Sequence, residues 1–332
     1  MPELHVHLER IGRNAAVVSA LVRRHGLDLV GVTKGCLGEP RVAGAMLEGG
    51  AVALADTRDL NLRRLRACFP HVELHRIYLP SIRCSFEPGD VTYVSSAQGA
   101  QAVAALAEDG KARSVMVQVE TGDEREGVPV AGLPALVETI IHDLRLEFVG
   151  LSTNYACFRG LPAAVTGSVE IVAQAARDLR TSGFAVSRVS GGNSSLLWLL
   201  ANGERLPSEV TELRCGEALL LGQDALVYEP LAGCRQDACI LRAEVLEEYT
   251  KPAREGAKRR LVLGLGRQDL GSGGVKFAHP GISEVGRSAD YLVAEADEPG
   301  QGTRVGSMLD MIPTYESLVA AWTSPYVEIK LL

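Results

Sequence analysis

Between residue 28 and about residue 222, short apolar runs alternate with amphipathic stretches, and this alternation limits what the chain can fold into more than any other feature. The runs are DLVGVT (28–33), AVALAD (51–56), ELHRIYL (73–79), DVTYVS (90–95), SVMVQVE (114–120), LEFVGLS (146–152), SRVS (187–190) and ELRCG (212–216). Most are close to continuously apolar, the pattern of parallel strands covered on both faces. Between most of them lie helical patterns such as PRVAGAMLEGG, SAQGAQAVAALAEDG and PAAVTGSVEIVAQAARDLRTSG, several ending in the glycine that stops a helix. The third unit carries no convincing helix. Eight strand-then-helix units in roughly 200 residues predict a (β/α)8 TIM-type barrel rather than an open doubly wound sheet.

After about residue 235 the pattern changes. ACILRAEVLEEYT, RRLVLGLG, ISEVGRSADYLVAEA, RVGSMLDMI and YVEIKLL read as strands separated by Gly, Pro and polar turns, with one short helical stretch near Tyr315–Ala321. The expected fold is therefore a barrel over 1–232 followed by a smaller mostly-β C-terminal domain over 233–332. At the other end, HVHLERIGRNAAVVSALVRRHG reads as an amphipathic helix preceding the first barrel strand. LGLGRQDLGSGG has the glycines of a dinucleotide loop, but no βαβ unit follows it, so a nucleotide site is not expected there.

Charge and cysteine usage narrow the class. A net charge of -7 argues against a nucleic-acid partner, which needs a clustered basic surface. No run approaches the ~20 apolar residues of a membrane span, and MPELHVHLERIGRN has no signal-peptide core. The seven cysteines are an odd, scattered set without CxxC spacing, which reads as reduced thiols rather than disulfides or a metal site. A cytoplasmic protein with no metal is expected.

Barrel enzymes carry their reactive groups on the loops that follow the strands. The first strand runs into VTKGCLG, which sets Lys34 at a strand end, where a desolvated amine becomes a nucleophile able to form a Schiff base. The seventh strand ends in SGGNSS: Gly191 and Gly192 permit close backbone approach, and Asn193, Ser194 and Ser195 offer donors at a helix start, the parts of an anion site. The eighth strand continues into RCGEALLLG, and loops seven and eight are where such barrels frequently bind phosphate. A phosphate cradle facing a strand-end lysine suggests pyridoxal 5'-phosphate. Arg214 then suits the pyridine nitrogen, and Arg125 in VETGDEREG suits the phenolic oxygen.

The order VTKG, VETGDEREG, STNYACFRG, SGGNSS, LRCGEALLLG, GLGRQDLG and TSPYVEI resembles the alanine racemase superfamily, the type III pyridoxal phosphate fold, and within it the ornithine racemase-like amino-acid racemases. The resemblance covers nearly the whole chain. It implies that Lys34 holds the cofactor covalently, that Arg125 lies beside the ring hydroxyl and Arg214 faces the pyridine nitrogen, and that Ser194, Ser195, Gly216 and Glu217 form the phosphate cradle. Asn154 falls where alanine racemases carry a histidine. The resemblance also implies a head-to-tail homodimer in which each site borrows residues from the partner's β-domain.

Racemisation needs an acid/base group on each face of Cα. Lys34 serves one face. Alanine racemases use a tyrosine of the second domain on the other, but the matching position in GLGRQDLG is Arg267. Asp269, Asp290, Tyr315, Tyr326 and Cys157 are the alternatives, of which Asp269 and Tyr326 are carried forward. The expected activity is racemisation or epimerisation of an amino acid, with a basic side chain such as that of ornithine. Another type III reaction (aldol cleavage or decarboxylation) and a non-catalytic cofactor-binding regulator are the alternatives. Asp123, Glu124 and Glu126, around Arg125, are the acids available to a cationic side chain, or else a solvated loop.

Overall fold

Strand β1 (Glu3–Val6) and helix α1 (Leu8–Arg24) precede eight short parallel strands that close on themselves. These are β2 (Asp28–Val32), β3 (Ala53–Asp56), β4 (Glu73–Arg76), β5 (Val91–Val94), β6 (Arg113–Gln118), β7 (Leu146–Ser152), β8 (Arg188–Ser190) and β9 (Glu212–Cys215). The ring shuts where β9 pairs with β2, Arg214 opposite Val30. The expected barrel is the one observed, down to the missing third helix: no helix lies between β4 and β5. The others are α2 (Pro40–Glu48), α3 (Asp59–Cys68), α4 (Ala97–Ala104), α5 (Leu133–Ile141), α6 (Pro162–Thr181) and the short α7 (Leu197–Ala201) and α8 (Glu217–Leu221). The computed structural model describes residues 1–108, 110–155, 162–253, 256–296 and 303–332.

Local chemistry places the helix ends. Ser96 caps α4 by accepting the Gly99 N–H at 3.1 Å, and α2 begins at Pro40, whose missing N–H costs nothing there. In α1, Ile11, Ala15, Val18 and Val22 fall on one buried stripe, and Arg23 and Arg24 complement the negative helix end.

The chain divides into two units, one comprising Ile11–Lys34 and Gly38–Cys234, the other Met1–Arg10, Gly35–Leu37 and Arg235–Leu332. The second is β-rich: β10 (Cys239–Ala253), β11 (Gly256–Leu263), α9 (Arg267–Leu270), β12 (Val275–Phe277), β13 (Ile282–Arg287), β14 (Leu292–Ala296), β15 (Met308–Pro313), α10 (Tyr315–Thr323) and β16 (Glu328–Leu331). Its sheet runs β12-β15-β10-β11-β14-β13, with β1 joined to β10 and β16.

The N-terminal segment corrects one expectation. His5 and Val6 lie in β1 rather than in the helix, with Glu3 opposite Arg242 antiparallel and opposite Glu328 parallel. Leu4 and Val6 are buried on one face of a strand too short for its alternation to stand out, and its partners lie more than two hundred residues away.

Candidate active site

A cavity of about 660 Å³ opens where the barrel strands end, lined by Lys34, Thr57, Tyr78, Tyr93, Gln118, Arg125, Glu126, Asn154 and Arg214 among others. Lys34 and Arg214 come from the neighbouring strands β2 and β9. Thr33, buried at the end of β2, donates its hydroxyl to the Asp56 carboxylate at 2.6 Å. Asp56 also accepts the N–H groups of Thr57 (2.6 Å) and Arg58 (3.1 Å) and the Asn61 amide (2.9 Å). This carboxylate locks the strand end from which Lys34 projects.

Arg214 is only 5% exposed. Its guanidinium donates to the Ser190 hydroxyl and to the Thr153 carbonyl (2.6 Å), and lies 5.1 Å from the centre of the Tyr93 ring. A guanidinium has five donors, so two protein partners leave capacity for a ligand in the cavity. Arg125 forks onto Glu126, and the Asp123 carboxylate lies 3.7 Å from its Nε. Among the described residues, Glu126 is the one acid lining the cavity.

Asn193, Ser194, Ser195, Gly216 and Glu217 are not among those lining residues. They adjoin through Asn154, whose Oδ1 accepts the Asn193 amide at 3.0 Å; the same amide donates to the Tyr155 carbonyl at 2.9 Å. Asn193 Oδ1 accepts the Ser195 N–H at 2.8 Å, and the Ser194 hydroxyl accepts the Ala218 N–H at 3.3 Å, joining the ends of β8 and β9. Two glycines here answer to packing: a Cβ on Gly191 would stand 2.7 Å from Val210, and one on Gly216 would stand 2.8 Å from the Val32 carbonyl. Burial pushes the Cys215 thiol up to about 12, which leaves it no role as a thiolate beside Arg214.

In the β-rich unit, Asp269 is buried and its carboxylate accepts the Gly266 N–H (3.0 Å) and the Ser324 hydroxyl (3.1 Å), closing the first turn of α9. Tyr326 is 57% exposed. Asp290 accepts the Gln268 amide at 2.8 Å, and Tyr315 begins α10. Cys157 lies outside the described residues.

Thr57, Tyr78, Tyr93 and Gln118 are cavity residues that the sequence reading missed. Thr57 directly follows β3 and Tyr78 lies two residues beyond β4, so the strand-end rule that selects Lys34 finds them too. Tyr93 and Gln118 lie inside apolar runs, where only their polarity marks them.

Residues 6–224 match the model of the family described as alanine racemase, N-terminal domain. The chain is 30% identical to a lysine racemase of Thermotoga maritima over 350 aligned residues, covering 98% of this chain and 97% of the relative. It is 26% identical to an ornithine racemase of Acetoanaerobium sticklandii, covering 100% and 99%. The fold superposes on an alanine racemase of Corynebacterium glutamicum with a TM-score of 0.75 at 17% identity, over 100% of this chain and 99% of that one.

Proposed function

The chain belongs to the alanine racemase family and is a pyridoxal phosphate-dependent amino-acid racemase, and from that premise we propose that it inverts Cα of an amino acid with a cationic side chain. The observation that carries the substrate class is the charge arrangement of the cavity, where Arg125 and Glu126 stand side by side. A basic amino acid brings a side-chain ammonium, for which Glu126 is a carboxylate lining the cavity. Asp123, close to Arg125, keeps a carboxylate by the guanidinium when Glu126 turns to a substrate cation. The two basic amino-acid racemases to which the chain is similar support the same class.

The residues present suit the cofactor. Lys34 would hold it covalently, Arg125 and Asn154 would flank the ring, and Arg214 would face the ring nitrogen; all four line one cavity. Ser194, Ser195, Gly216 and Glu217, with Asn193 fixing the turn, are proposed to take its phosphate. When bound, the cofactor supplies the electron sink that makes the Cα proton removable. A guanidinium only donates hydrogen bonds, so Arg214 would offer the ring nitrogen a hydrogen bond rather than a proton. That weaker activation suits return of the proton to Cα over loss of the amino group.

Lys34 carries the proton at Cα on one face. For the other face we favour Tyr326, exposed on the β-rich unit, over Asp269, whose carboxylate is already occupied by Gly266 and Ser324. In a head-to-tail homodimer Tyr326 would be offered to the site of a second copy. No helix among the described residues is long and apolar enough to cross a membrane; the odd, scattered set of seven cysteines supports a reducing, cytoplasmic setting.

Chiral chromatography after incubation with L-lysine, L-ornithine and L-leucine tests the reading. The first two should approach equal amounts of both enantiomers, with L-leucine much slower. Release of an aldehyde or of carbon dioxide in place of the D-enantiomer would refute it in favour of aldol cleavage or decarboxylation.

A further inference from the structure

Barrels of this type fill their interior with layers of branched apolar side chains. This one places ionisable and phenolic groups there. Glu73 and His75 are two apart on β4, as are Arg188 and Ser190 on β8 and Glu212 and Arg214 on β9. Residues two apart share a face of the sheet, and in each pair the first member lies nearer the N-terminal end of the barrel. Tyr93 on β5 contacts Glu212 on β9, strands that are not neighbours in the ring, so the contact crosses the interior.

The groups form one connected chain. Arg188 reaches Glu73 at 2.9 Å and donates to Glu212 Oε2 at 2.7 Å. His75 lies 2.7 Å from Glu73 and 3.3 Å from the Tyr93 hydroxyl. That hydroxyl donates to Glu212 Oε1 at 3.5 Å, and the Tyr93 ring lies beneath the Arg214 guanidinium. Burial pushes the Tyr93 hydroxyl up to about 12, so it remains a donor. Burial also pushes the Glu212 carboxyl up, but His75, Arg188 and Arg214 outweigh it and hold it below the usual carboxylate range.

Both hydrogen-bond partners of Arg214, the Ser190 hydroxyl and the Thr153 carbonyl, are neutral. A buried cation without an anion nearby is costly, and Glu212, two residues along β9 on the same face, is a carboxylate in electrostatic reach. We propose that Glu212 and Tyr93 are positioning residues for Arg214, the carboxylate as its counter-charge and the phenol as the platform beneath it. Together they set the direction and strength with which the guanidinium donates into the cavity. The inference rests on the reading of Arg214 as the group facing the cofactor ring. Removing the Glu212 charge makes the field at the mouth more positive, which disfavours a proton on the linkage between Lys34 and the cofactor.

The test is a pH titration of the visible absorbance of the holoenzyme, run on the wild type, Glu212→Gln and Tyr93→Phe. Glu212→Gln keeps the shape and removes the charge. Its linkage should titrate lower than the wild type by on the order of one pH unit, with kcat reduced several-fold and KM little changed. Tyr93→Phe keeps the ring and every ion pair but removes the hydroxyl that donates to Glu212, which leaves that carboxylate less compensated and should shift the titration upward, by less. A purely structural role would lower the melting temperature and leave both titrations superimposed on the wild type, and that result overturns the proposal. Should Glu212→Gln not fold, the Tyr93→Phe titration alone decides, an unshifted curve being the contrary result. A wild type without any Lys34-dependent absorbance would sink the underlying reading as well.

Discussion

At the N-terminal end of the barrel interior Glu73 and Glu212 share Arg188, whereas at the C-terminal end Lys34, Arg125 and Arg214 face, among the described residues, a single lining carboxylate, Glu126. The lower charges satisfy one another at hydrogen-bond distance, and Glu73, Arg188 and Glu212 line a smaller cavity of about 470 Å³. The upper ones are arranged around a space, with a surplus of cations that a phosphate and a substrate carboxylate would balance. Buried charge serves stability only when it is fully paired. An incomplete set at the strand ends is therefore a binding feature, and a complete set beneath it is scaffold that also fixes Arg214 from below.

That contrast can be broken at either end. Lys34→Ala should lower kcat by about 10³-fold or more and abolish retention of the cofactor through denaturing gel filtration, with the melting temperature of the cofactor-free protein little changed. A large loss of thermal stability in that variant would show the mouth to be structural too. Glu212→Leu acts on the lower end: it leaves Arg188 and Arg214 short of an anion and should cost about 3–5 kcal/mol in denaturant unfolding. A variant as stable as the wild type would remove the distinction between the two ends.

Smaller effects sharpen the picture. Glu126→Gln should raise KM for L-ornithine or L-lysine by about tenfold, the size of a lost charge-assisted hydrogen bond, and leave L-leucine turnover unchanged. Equal effects on both substrate classes would assign Glu126 to holding Arg125 alone. The smallest effect is a pH dependence. The His75 hydrogen bond, against an opposing push from burial, brings the Glu73 carboxyl down from its ordinary 4.5 to about 2. A depressed carboxyl contributes stability that is complete above the unfolded value and is lost as pH falls through the folded one. Unfolding free energy should therefore decline between about pH 4.5 and pH 2, and Glu73→Gln should flatten that decline. An unchanged slope would mean that Glu73 is not held by His75.

The barrel was readable because most strands are near-continuous apolar runs and most helices contiguous amphipathic ones, both local properties. Lys34, Arg125 and Arg214 were readable because strand ends are where such barrels carry polar groups, and Lys34 directly follows the DLVGVT run. The lower interior was not. His75 and Tyr93 sit within ELHRIYL and DVTYVS, and nothing local tells an inward polar residue from an outward one when both faces are covered. Strand β1 was hidden for a different reason, since four residues acquire their meaning only from β10 and β16. The glycines of SGGNSS were legible as places of close approach, but Gly191 is approached by Val210 of the chain itself, as Gly216 is by Val32.

The most direct test of the central claim is deuterium incorporation at Cα of L-ornithine and L-lysine in heavy water, followed by mass spectrometry on the cofactor-loaded protein. Incorporation at one deuterium per molecule, appearing together with the D-enantiomer and absent in Lys34→Ala, is the predicted result. Protein that holds the cofactor at Lys34 yet exchanges no Cα proton in any amino acid would contradict it.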